Sequence, residues 1–125
     1  NRVVEALKNL TLHSKLVVLS VYHLNRAGVY RAVTGEIYEV YGELCEELGI
    51  APLTQRRLGT LVNELDSMGL LNAKIISMGR YGRTKKIRLE LARTLIKDVF
   101  SEDSRLGRLI DYEPKCLPKH KSSGS

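Results

Sequence analysis

"TQRRLGTLVNELDSMGL" (54–70) has the clearest helical pattern in the chain. Its apolar residues recur at intervals of three and four positions, which is the spacing of one face of an α-helix. These residues are Leu58, Leu61, Val62, Leu65 and Met68. The segment 36–48 has the same periodicity, and a short turn that contains Pro52 joins the two segments. Two amphipathic helices separated by such a turn predict a helix-turn-helix.

A β-hairpin is predicted directly after this pair of helices. The segment "LLNAKIIS" (70–77) is strand-like, and "KKIRLEL" (85–91) alternates polar with apolar residues, so that Ile87 and Leu89 are expected to face inward. The turn between them lies in "MGRYGRTKK" (78–86), whose two glycines allow a positive φ. The sequence therefore predicts a hairpin with a strongly basic tip.

The flanking segments complete a winged-helix order. A central apolar helix is predicted at 15–27, with Ser14 as its cap and Gly28 as its stop. The other predicted elements are a short helix at 3–10, a brief strand at 29–33, and one or two closing helices at 92–100 and 104–111. The fold class is mainly α with a small β-sheet (α+β): a winged helix-turn-helix with a three-helix core, a β-hairpin wing and a C-terminal helix. We assign 1–112 to this domain and predict a disordered tail at 113–125, partly an expression scar.

Composition favours one intracellular domain with a polyanionic partner. The chain has 125 residues and 43% hydrophobic residues, and no apolar run approaches the roughly 20 residues that cross a membrane. The net charge is +6, and 54–91 alone carries eight cations against three anions, a net +5. A local excess of this kind points to nucleic acid. Cys45 and Cys116 form no C-x-x-C motif, so we expect no zinc site, no other metal and no cofactor in this chain.

The helix at 54–70 presents a polar face opposite Leu58. At 100° per residue, Arg56, Thr60 and Asn63 lie near the outward pole, with Gln55 and Arg57 at the seam. Each arginine in the first turn lowers the stability of the helix by about 0.3–1 kcal/mol, because the positive end of the helix dipole lies there. Phosphate oxygens or a guanine edge would reverse that cost. The alternative is a salt bridge from either arginine to the acidic helix at 36–48. Gly59 has two open explanations, tight packing on that helix or close approach of DNA.

The hairpin tip cannot bury its cations. Arg80, Arg83, Lys85 and Lys86 therefore face water or a partner, and their mutual repulsion is only partly screened. A DNA minor groove would offset it, since arginine favours the deep negative potential there. Tyr81 has two open roles, packing across the hairpin or contacting the groove. A solvated basic turn is the plain alternative for the whole tip.

The chain resembles a known family through "TGEIYEVYGELCEELGIAPLTQRRLGTLVNELDSMGLLNAKIISMGRYGRTKKIRL" (34–89) and "LTLHSKLVVLSVYHL" (10–24). It is similar to the C-terminal winged-helix domain of archaeal replication initiators, relatives of the eukaryotic origin-recognition complex. The resemblance implies a preceding AAA+ ATPase module, a recognition helix in the major groove of origin DNA and a wing in the adjacent minor groove. It implies DNA contact by Thr54, Gln55, Arg56 and Arg57 and by Arg80, Tyr81, Gly82 and Arg83. No G-x-x-x-x-G-K-[ST] motif occurs in the chain, so ATP binding is not assigned to it.

The predicted function is duplex DNA binding at replication origins, within an initiator that loads the helicase. The expected partners are double-stranded origin DNA, the replicative helicase and the ATPase module, in the cytoplasm with the nucleoid. The predicted DNA-binding residues are Thr54, Gln55, Arg56, Arg57, Thr60, Asn63, Arg80, Tyr81, Gly82, Arg83, Lys85 and Lys86. No enzymatic role is expected, because His13, His23 and His120 have no catalytic spacing to a partner.

Two other functions stay open at this stage. A protein-interaction module would use the acidic face of the helix at 36–48, formed by Glu36, Glu39, Glu43, Glu46 and Glu47. Its plain alternative is a solvated helix face. A transcription repressor would share the fold but would normally dimerise on a palindrome.

Overall fold

Six helices and one antiparallel hairpin make up the described part of this computed structural model, which covers residues 1–118 apart from the side chain of Tyr81. The elements are α1 (Arg2–Lys8), α2 (Leu12–Arg26), α3 (Thr34–Leu48), α4 (Gln55–Ser67), β1 (Leu71–Ser77), β2 (Arg83–Leu89), α5 (Arg93–Phe100) and α6 (Gly107–Ile110). A 3-10 turn, Gly79–Tyr81, joins the two strands. The predicted class, mainly α with a small β-sheet in winged-helix order, is confirmed.

The core is built around α2, which is covered on nearly all sides. The four consecutive residues Leu16 to Leu19 are all fully buried, so no face of the middle of this helix meets water. Helices α3, α4 and α5 and strand β2 pack against it. They contribute apolar side chains that include Ile37, Leu44, Leu58, Leu65, Ile87, Ile96 and Phe100. This core fixes α4 and the hairpin relative to each other.

Three local predictions were wrong. Helix α2 begins at Leu12 rather than Lys15, because Thr11 supplies a capping hydroxyl three residues earlier and accepts the Ser14 N–H at 3.3 Å. Ser14 is buried instead of capping. Met68 is 46% exposed rather than buried, because α4 ends at Ser67 and Met68 is its C-cap.

The third wrong prediction is the brief strand at 29–33. The structure has a single bridge there, in which Ala32 exchanges backbone hydrogen bonds with Ile87 at 2.9 and 2.7 Å. Val33 already caps α3, and Tyr30 and Arg31 are exposed. The space between α2 and α3 therefore leaves room for one paired residue only.

The register of the hairpin divides its side chains between two faces. The strands pair from Leu71 with Leu89 to Ser77 with Arg83, and side chains alternate along each strand. The inner face, turned toward α4 and the core, holds Leu71, Ala73, Ile75, Ser77, Arg83, Lys85, Ile87 and Leu89. The outer face holds Asn72, Lys74, Ile76, Thr84, Lys86 and Arg88.

The segment 113–118 lies against α3. The carboxylate of Glu43 accepts the N–H groups of Lys115 at 2.6 Å and of Cys116 at 3.1 Å, and it also accepts the hydroxyl of Tyr112. Residues 119–125 are outside the described part of the chain, so the domain boundary and the disordered tail remain predictions. Within residues 1–118, no helix is long and apolar enough to cross a membrane.

Candidate nucleic-acid interface

The first turn of α4 is set by a threonine cap. Thr54 Oγ1 accepts the Arg57 N–H at 3.1 Å, which satisfies one of the free donors at the start of the helix. Gln55, Arg56 and Arg57 follow directly and are exposed. The capping bond therefore starts the helix so that three polar side chains leave the body of the domain together.

Two tyrosines of α3 hold the turn that precedes this helix. Tyr41 Oη accepts the Leu53 N–H at 2.8 Å, and the Tyr38 hydroxyl donates to the Leu53 carbonyl, also at 2.8 Å. Burial raises the pKa of Tyr41 to about 12, so its hydroxyl stays protonated and can donate to His13 Nδ1 at 2.7 Å. The role of these tyrosines depends on hydrogen bonds across the turn, which the periodicity of the sequence does not reveal.

The outward face of α4 carries no ion pair in the part of the chain that the structure describes. Arg56, Thr60 and Asn63 are exposed, and the ion pairs seen among the described residues do not include Arg56 or Arg57. The salt bridge to the acidic helix is thus not formed. Arg57 instead lines a groove with Thr11 and His13 at the start of α2.

Gly59 lies in the middle turn of α4 without a close neighbour. A Cβ built on it would meet nothing within 4 Å. Tight packing on α3 is therefore not the reason for a glycine here. Close approach of a ligand to the helix backbone is the explanation that stays open.

The tip of the hairpin turns on two glycines with positive φ. Gly79 has φ +65° and Gly82 has φ +86°, and the Met78 N–H donates to the Gly82 carbonyl at 2.6 Å. This turn exposes Arg80 and Arg83. The two proposed roles of Tyr81 concern a side chain outside the described residues and remain predictions.

A direct hydrogen bond joins the hairpin to α4. Lys85 Nζ donates to Asn63 Oδ1 at 2.9 Å, so the inner face of the hairpin and the outward face of α4 form one surface. Arg83 lies on the same inner face as Lys85, whereas Lys86 lies on the outer face. The structure therefore brings the α4 residues together with Arg83 and Lys85 and separates Lys86 from them.

A family model described as the CDC6 C terminal winged helix domain matches residues 5–99. This chain belongs to that family. The resemblance read from the sequence is confirmed. ORC1-type DNA replication proteins of Pyrococcus abyssi and Thermococcus kodakarensis are 48% and 44% identical to it over 89% and 85% of this chain. The winged-helix domain spans about a quarter of their length, 26% in each.

Solved structures agree with this assignment. The Aeropyrum pernix ORC1 protein in complex with DNA superimposes with a TM-score of 0.78 at 42% identity, covering 86% of this chain and 28% of that one. Drosophila ORC bound to DNA has a TM-score of 0.67 at 17% identity, covering 79% of this chain and 25% of that one. The second likeness shows the shared fold alone.

The winged-helix domain has further cations that sequence reasoning missed. Arg31, Lys74 and Arg88 join Lys86 around a groove on the outer face of the hairpin. Strand alternation could have placed Lys74 beside Lys86, but the position of Arg31 depends on the long-range bridge at Ala32. Among the described residues, no group of three His, Cys, Asp or Glu side chains is arranged to hold a metal ion.

Proposed function

We propose that this winged-helix domain binds duplex DNA, with α4 in the major groove and the hairpin tip in the adjacent minor groove. The observation that carries the proposal is the Lys85–Asn63 hydrogen bond at 2.9 Å. It makes one surface of the polar face of α4 and the inner face of the wing, so a single duplex can meet both. The relative from Aeropyrum pernix, 42% identical, was solved in complex with DNA.

The electrostatics of this surface support a phosphate-rich ligand. Arg56, Arg57, Arg80, Arg83, Lys85 and Lys86 form no ion pair among the described residues. Their charges are therefore available to DNA phosphates, whose neutralisation releases condensed counterions. Arginine at the start of α4 can also reach a guanine edge bidentately. We infer that α4 contributes sequence preference and that the wing contributes mainly sequence-independent affinity.

The biological setting follows from the relatives. They are named ORC1-type DNA replication proteins, so we propose that the DNA is a replication origin and that the domain belongs to a replication initiator. The remaining three quarters of such a protein would include the AAA+ ATPase module, and helicase loading would be the task of the whole. This function would keep the protein with the nucleoid in the cytoplasm. We assign no cofactor, metal or catalytic step to this chain.

The salt dependence of DNA binding tests the proposal. We expect binding of an origin duplex, measured by fluorescence anisotropy, to weaken with a log–log salt slope of roughly −4 to −5, as for four to six neutralised phosphates. Arg80→Ala with Arg83→Ala should weaken binding on every sequence and reduce the slope by about 2. Arg56→Ala should also flatten the preference for origin DNA. A matched control is Arg2→Ala with Lys97→Ala, which removes two exposed charges from α1 and α5. Wild-type affinity of the wing double variant would refute the assignment.

Protein interaction through the acidic face of α3 is less favoured. Glu43 binds the chain's own segment 112–116, and Glu47 pairs with Arg108 at 3.8 Å. Glu36 accepts the Val33 N–H at 2.9 Å. Only Glu39 and Glu46 lack such contacts among the described residues. Family membership likewise favours a replication initiator over a transcription repressor.

A further inference from the structure

A basic groove runs along the outer face of the hairpin, on the side away from α4. It is lined by Arg31, Asn72, Lys74, Ile76, Lys86 and Arg88. Four of these six side chains are cations. Apart from Lys86, the cations of the DNA-binding surface proposed above lie on α4, at the tip or on the inner face of the hairpin, so this groove adds a second face to that surface.

Backbone pairing sets the cations of the groove beside one another. Lys74 pairs directly with Lys86 across the strands. Ala32 and Ile87 form an antiparallel bridge. The residue before Ala32, Arg31, therefore lies opposite the residue after Ile87, Arg88. Two like-charge pairs thus meet on one small surface.

This arrangement is unfavourable in the free domain. Like charges directly opposite each other on paired strands are destabilising. Among the described residues, Glu90 is the only carboxylate that contacts these cations, and it accepts from Arg88 Nη2 at 3.0 Å and from Nε at 3.2 Å. In the described part of the chain, Arg31, Lys74 and Lys86 have no ion-pair partner. Glu90 thus partly compensates the Arg31–Arg88 pair, whereas the Lys74–Lys86 pair has no carboxylate partner among the described residues. A local rule that is broken without compensation marks a candidate binding surface.

We propose that the outer groove binds phosphate oxygens of the DNA backbone that borders the minor groove on the side away from α4. Two backbones flank a minor groove, so a ribbon whose tip enters it has one backbone against each face. Arg83 and Lys85 on the inner face meet the near backbone. Arg31, Lys74 and Lys86 meet the far one. This inference rests on the function proposed above; it adds Arg31 and Lys74 to the contact surface and assigns Lys86 to the far backbone.

The chemistry of the groove favours phosphate over an acidic protein segment. Its lining offers charged and amide donors, and Ile76, half-buried, is its one apolar side chain. Protein partners are usually anchored by large apolar or aromatic side chains in a pocket. Phosphate needs only donors and positive charge, and guanidinium groups bind it bidentately. The groove also shares its strands with the tip and so lies next to the same ligand.

Removal of two groove charges tests the inference. We expect the double variant Arg31→Gln, Lys74→Gln to reduce the magnitude of the salt slope by about 2 on an origin duplex, since each phosphate contact contributes about 0.9. The control Arg2→Gln, Lys97→Gln lowers the net charge equally and should leave the slope unchanged. Both residues of the groove variant are exposed, so we expect each variant to fold, and circular dichroism checks this.

A shortened duplex identifies which phosphates are bound. About five base pairs, half a helical turn, are removed from the end of the duplex on the wing side. This removes the phosphates of the far backbone that the groove is proposed to bind. On the shortened duplex, the salt slope of the wild type should fall to the value that the groove variant shows on the long duplex. The slope of the groove variant should be the same on both duplexes. Equal slopes for the groove variant and its control on the long duplex would overturn the inference.

Two further outcomes separate this inference from the proposed function. If the Arg80→Ala, Arg83→Ala variant weakens binding but the groove variant does not, the groove inference alone is wrong. If neither weakens it, the proposed function is wrong as well. Loss of binding to polyglutamate by the groove variant, with an unchanged DNA slope, would identify the groove as a protein site and would also overturn the inference.

Discussion

Thr54 caps α4 and is also a predicted DNA contact. Its Oγ1 accepts the Arg57 N–H at 3.1 Å, which caps α4. A threonine hydroxyl is both acceptor and donor, so capping leaves its O–H free to donate to a phosphate. The family resemblance implied DNA contact at this position. The structure establishes the cap, and the contact stays a prediction.

His23 is a buried histidine that makes stability depend on pH. Its Nε2 donates to the Leu109 carbonyl at 2.9 Å, and Arg26 Nη1 donates to its Nδ1 at 3.1 Å. Burial lowers the pKa of His23 from 6.5 to about 4. The hydrogen bond to the Leu109 carbonyl opposes this shift, and the positive charge of Arg26 adds to it. The unfolded chain therefore binds the proton more readily than the folded domain below pH 6.5.

We expect the free energy of unfolding to fall by about 2 kcal/mol between about pH 7 and pH 5 because of His23. Stability is full above the ordinary histidine pKa and declines as pH falls toward the folded value. Urea denaturation at both pH values measures this. His23→Gln keeps an amide donor for Leu109 but cannot ionise, so most of the pH dependence should disappear. An NMR titration of His23 near 6.5 would contradict the prediction.

At the scale of elements, the turn before α4 depends on the hydroxyl groups of α3. Leu53 is bound at its N–H by Tyr41 and at its carbonyl by Tyr38. Both bonds join residues that are 12 or 15 positions apart. Because α4 starts two residues after Leu53, these bonds set the direction in which its first turn leaves the core.

Tyr41→Phe should destabilise the domain by about 1–3 kcal/mol, because the Leu53 N–H would lose its acceptor in a half-buried position. DNA affinity should fall as well, under conditions in which the variant is fully folded, since the start of α4 is held less firmly. Chemical denaturation and fluorescence anisotropy measure the two effects. Tyr22→Phe is the control, because the buried Tyr22 has no hydroxyl hydrogen bond among the described residues. Equal behaviour of the two variants would show that the Tyr41 hydroxyl positions nothing.

Gly59→Ala should separate stability from binding. Alanine is favoured over glycine in a helix by about 1 kcal/mol, and a Cβ at Gly59 meets no atom within 4 Å. The variant should therefore be more stable, yet bind DNA more weakly if a duplex approaches the α4 backbone. Gly42→Ala in α3 meets the same open space and should gain stability without losing affinity. Unchanged affinity of Gly59→Ala would exclude close approach at this turn.

Periodicity predicted the helices and the hairpin well, because both patterns depend on residues near each other in sequence. Helix α4 and the basic tip follow from such local signals. Strand alternation already predicted Lys86 on the outward face, opposite to Lys85. Which β1 residues the two lysines meet depends on the strand register, and that was not predicted. The contribution of Arg31 depends on a bridge between residues 32 and 87. Local sequence patterns carry no signal for a contact of that range.

At the scale of the whole molecule, the acidic face of α3 also serves as a docking site for the end of the described chain. Glu43 accepts from the Tyr112 hydroxyl and from the N–H groups of Lys115 and Cys116. Arg26 adds an ion pair with Glu113 at 3.5 Å. Burial alone would raise the pKa of Glu43, but these hydrogen bonds outweigh it and hold that pKa below its usual value.

Glu43→Gln should release the segment 112–118 from α3. The neutral amide accepts more weakly than the carboxylate, and its NH₂ group faces donors, so roughly 1.5–3 kcal/mol of charged hydrogen bonding would be lost. Faster trypsin cleavage after Lys115 measures the release. Glu46→Gln is the control, because Glu46 is exposed and makes no contact of this kind among residues 1–118. For wild type, the depressed pKa of Glu43 means that the segment is held at neutral pH and released as pH falls through that lowered value. A cleavage rate equal to that of wild type would mean that Glu43 does not hold the segment.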